Sequence, residues 1–400
     1  MRSSVLALCV LVSVSAAEAQ RLGPVEKRPK LAAGSDTNDA GAYLSLAIRS
    51  LEQKPDEAAA AFYWAARLDP TSPEALDGRR AAMLMRKPLT LKNYMEGSRK
   101  ARESKEFKAI DSLQLRAARI DPLYYRKNDH VMLMSYYRTS MRREYPTAGD
   151  HEIDKAIVDY LEDSSPYMRG WLAYSRGDMA TALAFYETAA KQSKNPGGIR
   201  VERARIFALQ GRWSAAIAEF KLALEDLRKD EDKKDETVVF YSSKAMVEHS
   251  IGVVFGKLGQ VDSAKAALGR AITEDLSYFA AHVELGKLAL AQKDTAAAMG
   301  ALGLAAELAT DEPFVHFLQG SSLVAAGQHA DAIAPLKRAV ELEPFFAAPH
   351  FALGEALEKT GDGAGAREAY SRFLAQSWRR DQRRDAATQR LAALSKGAIP

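Results

Sequence analysis

Four hundred residues, 47% of them hydrophobic and 27% charged, have the balance of a folded globular chain. Alanine supplies much of the apolar count and strand formers are few, so helices are expected throughout. Against 52 acidic residues stand 56 basic ones, a formal charge of +4, too small an excess to mark a nucleic-acid footprint.

Residues 1–19 read as an export signal: Arg2 gives a positive start, Val5 to Val14 a short apolar stretch, and Ala17-Glu18-Ala19 a small-x-small cleavage site. The single cysteine, Cys9, lies within it, which leaves the mature chain without thiols, disulfides or cysteine-bound metal. A lipid anchor on Cys9 is disfavoured by bulky Leu8 before it. No later segment reaches the roughly 18 consecutive apolar residues of a membrane span, so an exported chain, periplasmic or extracellular and soluble after cleavage, is expected.

Residues 20–39 carry Pro24 and Pro29 and few large apolar side chains, and are expected to be a flexible leader. From 40 to 162 the pattern is helical but irregular. Ala58, Phe62 and Ala65 before Asp69-Pro70, and Ala117 and Arg119 before Asp121-Pro122, each have the form of a helix ended by proline. Between them and the next region lie Tyr124-Tyr125, Tyr136-Tyr137 and an amphipathic stretch from His151 to Leu161.

The chain then becomes periodic. Blocks begin at Ala245, Phe279, Pro313 and Ala347, each 34 residues after the last, and their eighth residues are Gly252, Gly286, Gly320 and Gly354. The twentieth are Ala264, Ala298, Ala332 and Ala366; the twenty-fourth are Leu268, Leu302, Leu336 and Tyr370. Small residues at the first two columns let two antiparallel helices approach, and large ones at the third fill the space beside them. Gly259, Gly327 and Gly361 fall where a left-handed turn joins the helices. Two further blocks, 163–196 and one from Gly197, fit the same template. A charged insertion, 226–239, separates them from the block at Ala245, and 379–400 reads as a capping helix and tail.

This pattern resembles the tetratricopeptide repeat. The resemblance implies an all-α, helical-repeat solenoid of six repeats over 163–378, with an irregular N-terminal helical half containing degenerate repeats and a C-terminal capping helix. It also implies that columns two, five, nine and twelve of each first helix project into a concave groove. Those columns hold Tyr167, Trp171 and Tyr174; Arg205; Val253 and Gly256; Lys287 and Leu290; Phe314, Phe317, Ser321 and Val324; Phe351, Glu355 and Glu358. Two sticky zones are expected, one at Trp171 and Tyr174 and one at Phe314, Phe317 and Phe351, with Arg205 and Lys287 as isolated cations. The lysine and asparagine clamp by which some members hold a terminal carboxylate is missing, because column six carries Met168, Glu202, Ser250, Glu284, Leu318 and Ala352.

No catalytic constellation stands out. His151-Glu152 begins like a zinc-protease motif, but Lys155 occupies the place of the second histidine. Gly361, Gly363 and Gly365 follow no strand, and His282, His316 and His350, one per repeat, are too far apart to share a metal. The cluster Arg379, Arg380, Arg383 and Arg384 reads as a solvated linker into the cap. The expected function is a non-enzymatic protein-interaction scaffold that binds a protein or peptide segment in its groove, without cofactor, metal or nucleic acid. The alternative is a periplasmic assembly factor or chaperone-like holder of envelope proteins.

Overall fold

The computed structural model describes residues 22–95, 104–126, 128–231 and 243–395. The expected signal, Cys9 and most of the charged insertion (232–239) lie outside these residues. Everything regular among the described residues is helical. Five helices form the N-terminal group: α1 (Ala40–Ser50), α2 (Pro55–Leu68), α3 (Pro73–Met85), α4 (Pro88–Met95) and α5 (Lys105–Ile120). Two more, α6 (Asp129–Glu144) and α7 (Asp150–Glu162), lead into the periodic region.

Six antiparallel hairpins follow, each a first and a second helix. They are α8 (Pro166–Ser175) with α9 (Met179–Gln192), α10 (Gly197–Leu209) with α11 (Trp213–Glu231), and α12 (Lys244–Lys257) with α13 (Val261–Glu274). Then come α14 (Phe279–Ala291) with α15 (Thr295–Leu308), α16 (Pro313–Ala325) with α17 (His329–Leu342), and α18 (Ala347–Lys359) with α19 (Gly363–Gln376). The last helix, α20 (Arg384–Ser395), buries Ala387 and Leu394 against the final hairpin and closes the solenoid.

One turn recurs at every hairpin. In the third, the Gly259 amide donates to Gly256 O and the Gln260 amide to Phe255 O, each at 3.0 Å, which satisfies two of the carbonyls a helix end leaves open. The residue at the bend is left-handed: Gly259 has φ 71°, and in the fourth hairpin Lys293 takes that place with φ 61°. Where aspartate follows the bend it starts the second helix: Asp178, Asp294 and Asp362 accept from the amides of Thr181, Ala297 and Gly365.

The glycine column has a direct steric cause. A Cβ on Gly252, Gly286, Gly320 or Gly354 would stand 2.5–2.7 Å from the column twenty-four side chain of its own hairpin. The large residue therefore seats on the glycine itself and not merely beside it. The N-terminal group repeats the device, since a Cβ on Gly78 of α3 would stand 2.2 Å from the Phe62 ring of α2.

The leader has specific contacts at its start: Leu22 is fully buried, Arg79 donates to Leu22 O, Pro24 O and the Glu26 carboxylate, and Trp64 donates to Glu26 O. A guanidinium buried at Arg79 needs this many acceptors, and the proline-bent leader supplies them as backbone carbonyls. Burial, with Glu26 opposing it, still lowers the Arg79 pKa to about 10.

Candidate functional site

The site expected from the columns is the face formed by the first helices of the hairpins, and the chain's own N-terminal group lies against part of it. The two run in opposite directions. At the far end Asn38 donates to Ala375 O at 2.7 Å and the Arg379 amide to Asp36 at 2.6 Å. Next, Trp64 of α2 packs edge-on to Phe345 at 5.0 Å, and Arg67 pairs with Glu343 at 3.0 Å with both side chains buried. Further along, α5 covers α14 and α16. Arg116 pairs with Glu312, Ala118 joins a cluster with Met246, Ala280, Val283 and Phe314, and Arg119 lies 5.3 Å over the Phe279 ring.

At the near end the segment between α5 and α6 crosses α8 and α10, where a buried ion cluster ties three parts of the chain together. Arg80 pairs with Asp77 at 2.8 Å and Asp129 at 2.9 Å, Arg126 with Glu202 at 2.8 Å, and Arg205 with Glu202 at 2.9 Å. Arg205 also donates to Pro122 O at 3.0 Å, while Tyr125 donates to Tyr174 O at 2.9 Å. Three carboxylates meet three guanidiniums, so the cluster is neutral. Burial works against the Glu202 charge, yet Arg126 and Arg205 outweigh it and hold its pKa below the usual glutamate range. At Asp129 burial prevails over Arg126 and Arg80 and raises the pKa. Removing one member of such a network costs about 3–5 kcal/mol, because the remaining charge stays buried without its partner.

These contacts decide where the expected groove residues stand. Tyr174, Arg205 and Phe314 are 1%, 9% and 5% exposed. Arg205 is thus no isolated cation, and Tyr174 is a core side chain whose hydroxyl accepts from the Arg126 amide. Tyr167 is half-buried against Tyr186, and Trp171 against the apolar clusters of α6–α9. Phe317 packs on Phe346, and Phe351 on Tyr370 and Phe373. The two expected sticky zones are therefore engaged within the chain.

Lys287 is not isolated either, since it pairs with Glu284 at 2.6 Å, but its side chain is 45% exposed. It stands with Lys257 and Glu284 at the rim of a cleft of about 230 Å³ whose floor is Gly252, Val253, Gly256, Leu268 and Leu288. In the third to fifth hairpins columns nine and twelve remain partly open, at Val253, Gly256, Lys287, Leu290, Ser321 and Val324. Columns two and five are the ones α5 covers.

The remaining candidates have structural partners. His316 and His350 bond the carbonyls of Thr310 and Pro344, each six residues earlier. Arg383 clasps Asp381, Arg384 bonds Leu374 O and Ser377 O, and Arg379 bonds Ser35 O, while Arg379 and Arg380 stay exposed, as a solvated linker would be. Among the described residues no group of three or more histidine, aspartate or glutamate side chains is disposed to hold a metal, and no helix is long and apolar enough to cross a membrane.

A solenoid of six helical hairpins, wound against a helical group from its own N-terminus, is the class this architecture defines. Three stretches, 167–232, 250–313 and 317–381, match the tetratricopeptide repeat family. Similar solved structures include YrrB, described as a TPR protein with an unusual peptide-binding site: 17% identity, 52% of this chain and 98% of that one, TM-score 0.40. MamA is similar at 19% identity over 45% of this chain and 91% of its own, TM-score 0.37. The C-terminal part of a TPR repeat-containing protein from Cytophaga hutchinsonii is similar at 14% identity over 57% and 95%, TM-score 0.43. No curated protein matches the chain.

Proposed function

We propose that this protein is an exported protein-interaction scaffold that takes an extended or helical partner segment along the open columns of its third to fifth hairpins. The observation that carries the reading is the cleft at Lys287. It has an apolar floor, two lysines at its rim and a place on the face that tetratricopeptide arrays turn toward partners. Apolar side chains of the partner would fill the floor and supply affinity, while rim charges would set orientation. Toward the other end of the stripe lie Glu355 and Glu358, so a partner with an acidic end near Lys257 and Lys287 and a basic end near Glu355 fits best.

The test uses the full chain as bait in an extract of its source, beside Lys257→Glu/Lys287→Glu. Both lysines are exposed, and because Lys287→Glu also breaks the pair with Glu284, urea unfolding of the variant is measured beside capture. One stoichiometric protein whose affinity falls tenfold or more in the variant is the expected result. Undiminished capture by a cooperatively folding variant would overturn the proposal.

A further inference from the structure

The N-terminal group and the array each have a core of their own. The largest apolar cluster of the N-terminal group draws its buried members only from residues 22–132, among them Leu22, Tyr43, Phe62, Leu84 and Leu113, and the array touches it only through Phe345. In return, Ala118 and Leu123 are the buried N-terminal members of the array's central clusters. Between the two cores runs a seam made largely of arginines from one side and carboxylates or aromatic rings from the other: Arg67 with Glu343, Arg116 with Glu312, Arg119 on Phe279.

Such a seam is selective without being maximally stable, because the cost of desolvating both charges offsets much of their attraction. Polar interfaces between separately cored units are also the ones that open. The tether through α6 and α7 holds the occupant at an effective concentration of roughly millimolar order, a modest advantage that a competing segment can exceed.

We infer that the covered part of the array's first-helix face is a binding groove for an apolar helix bearing arginines at the spacing of Arg116 and Arg119. In this structure it is loaded with the chain's own α5, and an outside helix of the same chemistry displaces that occupant. This goes beyond the open cleft at Lys287, which lies on other columns and stays accessible whether or not the seam is closed. Arg116 and Arg119 are three residues apart, so both project from one face of α5 beside Ala118. The array meets that face with one acid, Glu312, and one pair of rings, Tyr278 and Phe279. A ligand therefore needs one guanidinium for the acid, one for the rings and apolar side chains at the positions of Leu115, Ala118 and Ile120.

The probe is a fluorescently labelled synthetic peptide of residues 105–126, titrated by anisotropy into the full-length chain. Arg67→Glu sets like charges against Glu343 and loosens the seam away from the peptide's own site, and Arg67→Glu/Glu343→Arg pairs it again. The peptide is expected to bind the loosened chain at least tenfold more tightly than the wild type, and the re-paired chain as weakly as the wild type. A peptide carrying Arg116→Glu is expected to bind the loosened chain at least tenfold more weakly. Should Arg67→Glu fail to unfold cooperatively, Asp36→Arg, facing Arg379 at the rim, loosens the same seam without entering a core. Equal affinities for closed and loosened chains, or indifference to the peptide's Arg116→Glu change, would overturn the inference.

Discussion

Gly320→Ala and Gly300→Ala are the same chemical change in adjacent hairpins and should have opposite signs. Each removes a glycine from a helix interior, which alone favours the folded state by about 1 kcal/mol. At Gly300 the new methyl meets nothing within 4 Å, so that gain stands. At Gly320 it would lie 2.5 Å from Leu336 Cγ and 3.3 Å from the Leu336 backbone nitrogen. The side chain can turn away, but the nitrogen moves only if α17 moves. Overpacking of this kind costs about 1–3 kcal/mol, and the backbone contact puts Gly320 toward the upper end. The expectation is a net loss of about 1–2 kcal/mol at Gly320 against a gain of about 1 kcal/mol at Gly300. Urea unfolding with an unchanged denaturant slope gives both values, and amide exchange within Pro313–Leu342 locates the loss. In a double-mutant cycle with Leu336→Ala, the cost at Gly320 should shrink but not vanish, because Cγ and Cδ2 are gone while the backbone nitrogen remains. A neutral or stabilising Gly320→Ala would refute the steric account of the glycine column.

Two further outcomes follow from local geometry. Lys293 holds a left-handed backbone without being glycine, so Lys293→Gly should stabilise by about 1 kcal/mol, and Gly327→Ala at the equivalent bend should destabilise by a similar amount; urea midpoints for the two variants check both signs. Burial, and then the charge of Lys287, pushes the His249 pKa down to about 3, while its ring bonds Tyr278. Above about pH 6.5 the ring is neutral folded and unfolded alike, but as the pH falls below that value only the unfolded chain takes up the proton. This one group should therefore remove about 2 kcal/mol of stability by pH 5. In His249→Gln the dependence of unfolding free energy on pH between 7 and 5 should lose up to one proton; an unchanged slope would mean that His249 is protonated in the folded chain.

The hairpins were legible because everything that makes them is local. Gly252 meets Leu268 sixteen residues later, and Asp294 caps a helix three residues on, so period and spacing record the contact directly. The seam has no such record. Arg67 and Glu343 are 276 residues apart, and nothing near either one names the other. Arg205 has one partner within its own repeat, Glu202 three residues earlier, but Pro122 O, and Arg126 on the same Glu202, come from the segment after α5, which nothing in that repeat announces. The contacts of the leader were hidden for a related reason. Few large side chains suggested mobility, but its carbonyls, which carry no sequence signature, are what the buried Arg79 requires.

A repeat array that holds an internal segment faces a problem of register, since neighbouring hairpins offer similar apolar columns: Met246, Ala280, Phe314 and Ala348 all stand at column two. Apolar contacts alone would leave the segment free to seat one hairpin out of place. The arginines remove that freedom, because the acids that receive them break the 34-residue symmetry. The positions equivalent to Glu312 are Tyr278 and Phe346, and those equivalent to Glu343 are Ala309 and Ser377. A slip of one hairpin would therefore bury Arg67 and Arg116 against groups that cannot neutralise them, at a cost of several kcal/mol for each charge. Replacing each pair by apolar side chains of similar volume would leave stability nearly unchanged while erasing that discrimination. The ion pairs along the seam thus serve register more than strength, and this is also what makes the covered face selective for helices that carry arginine at those positions.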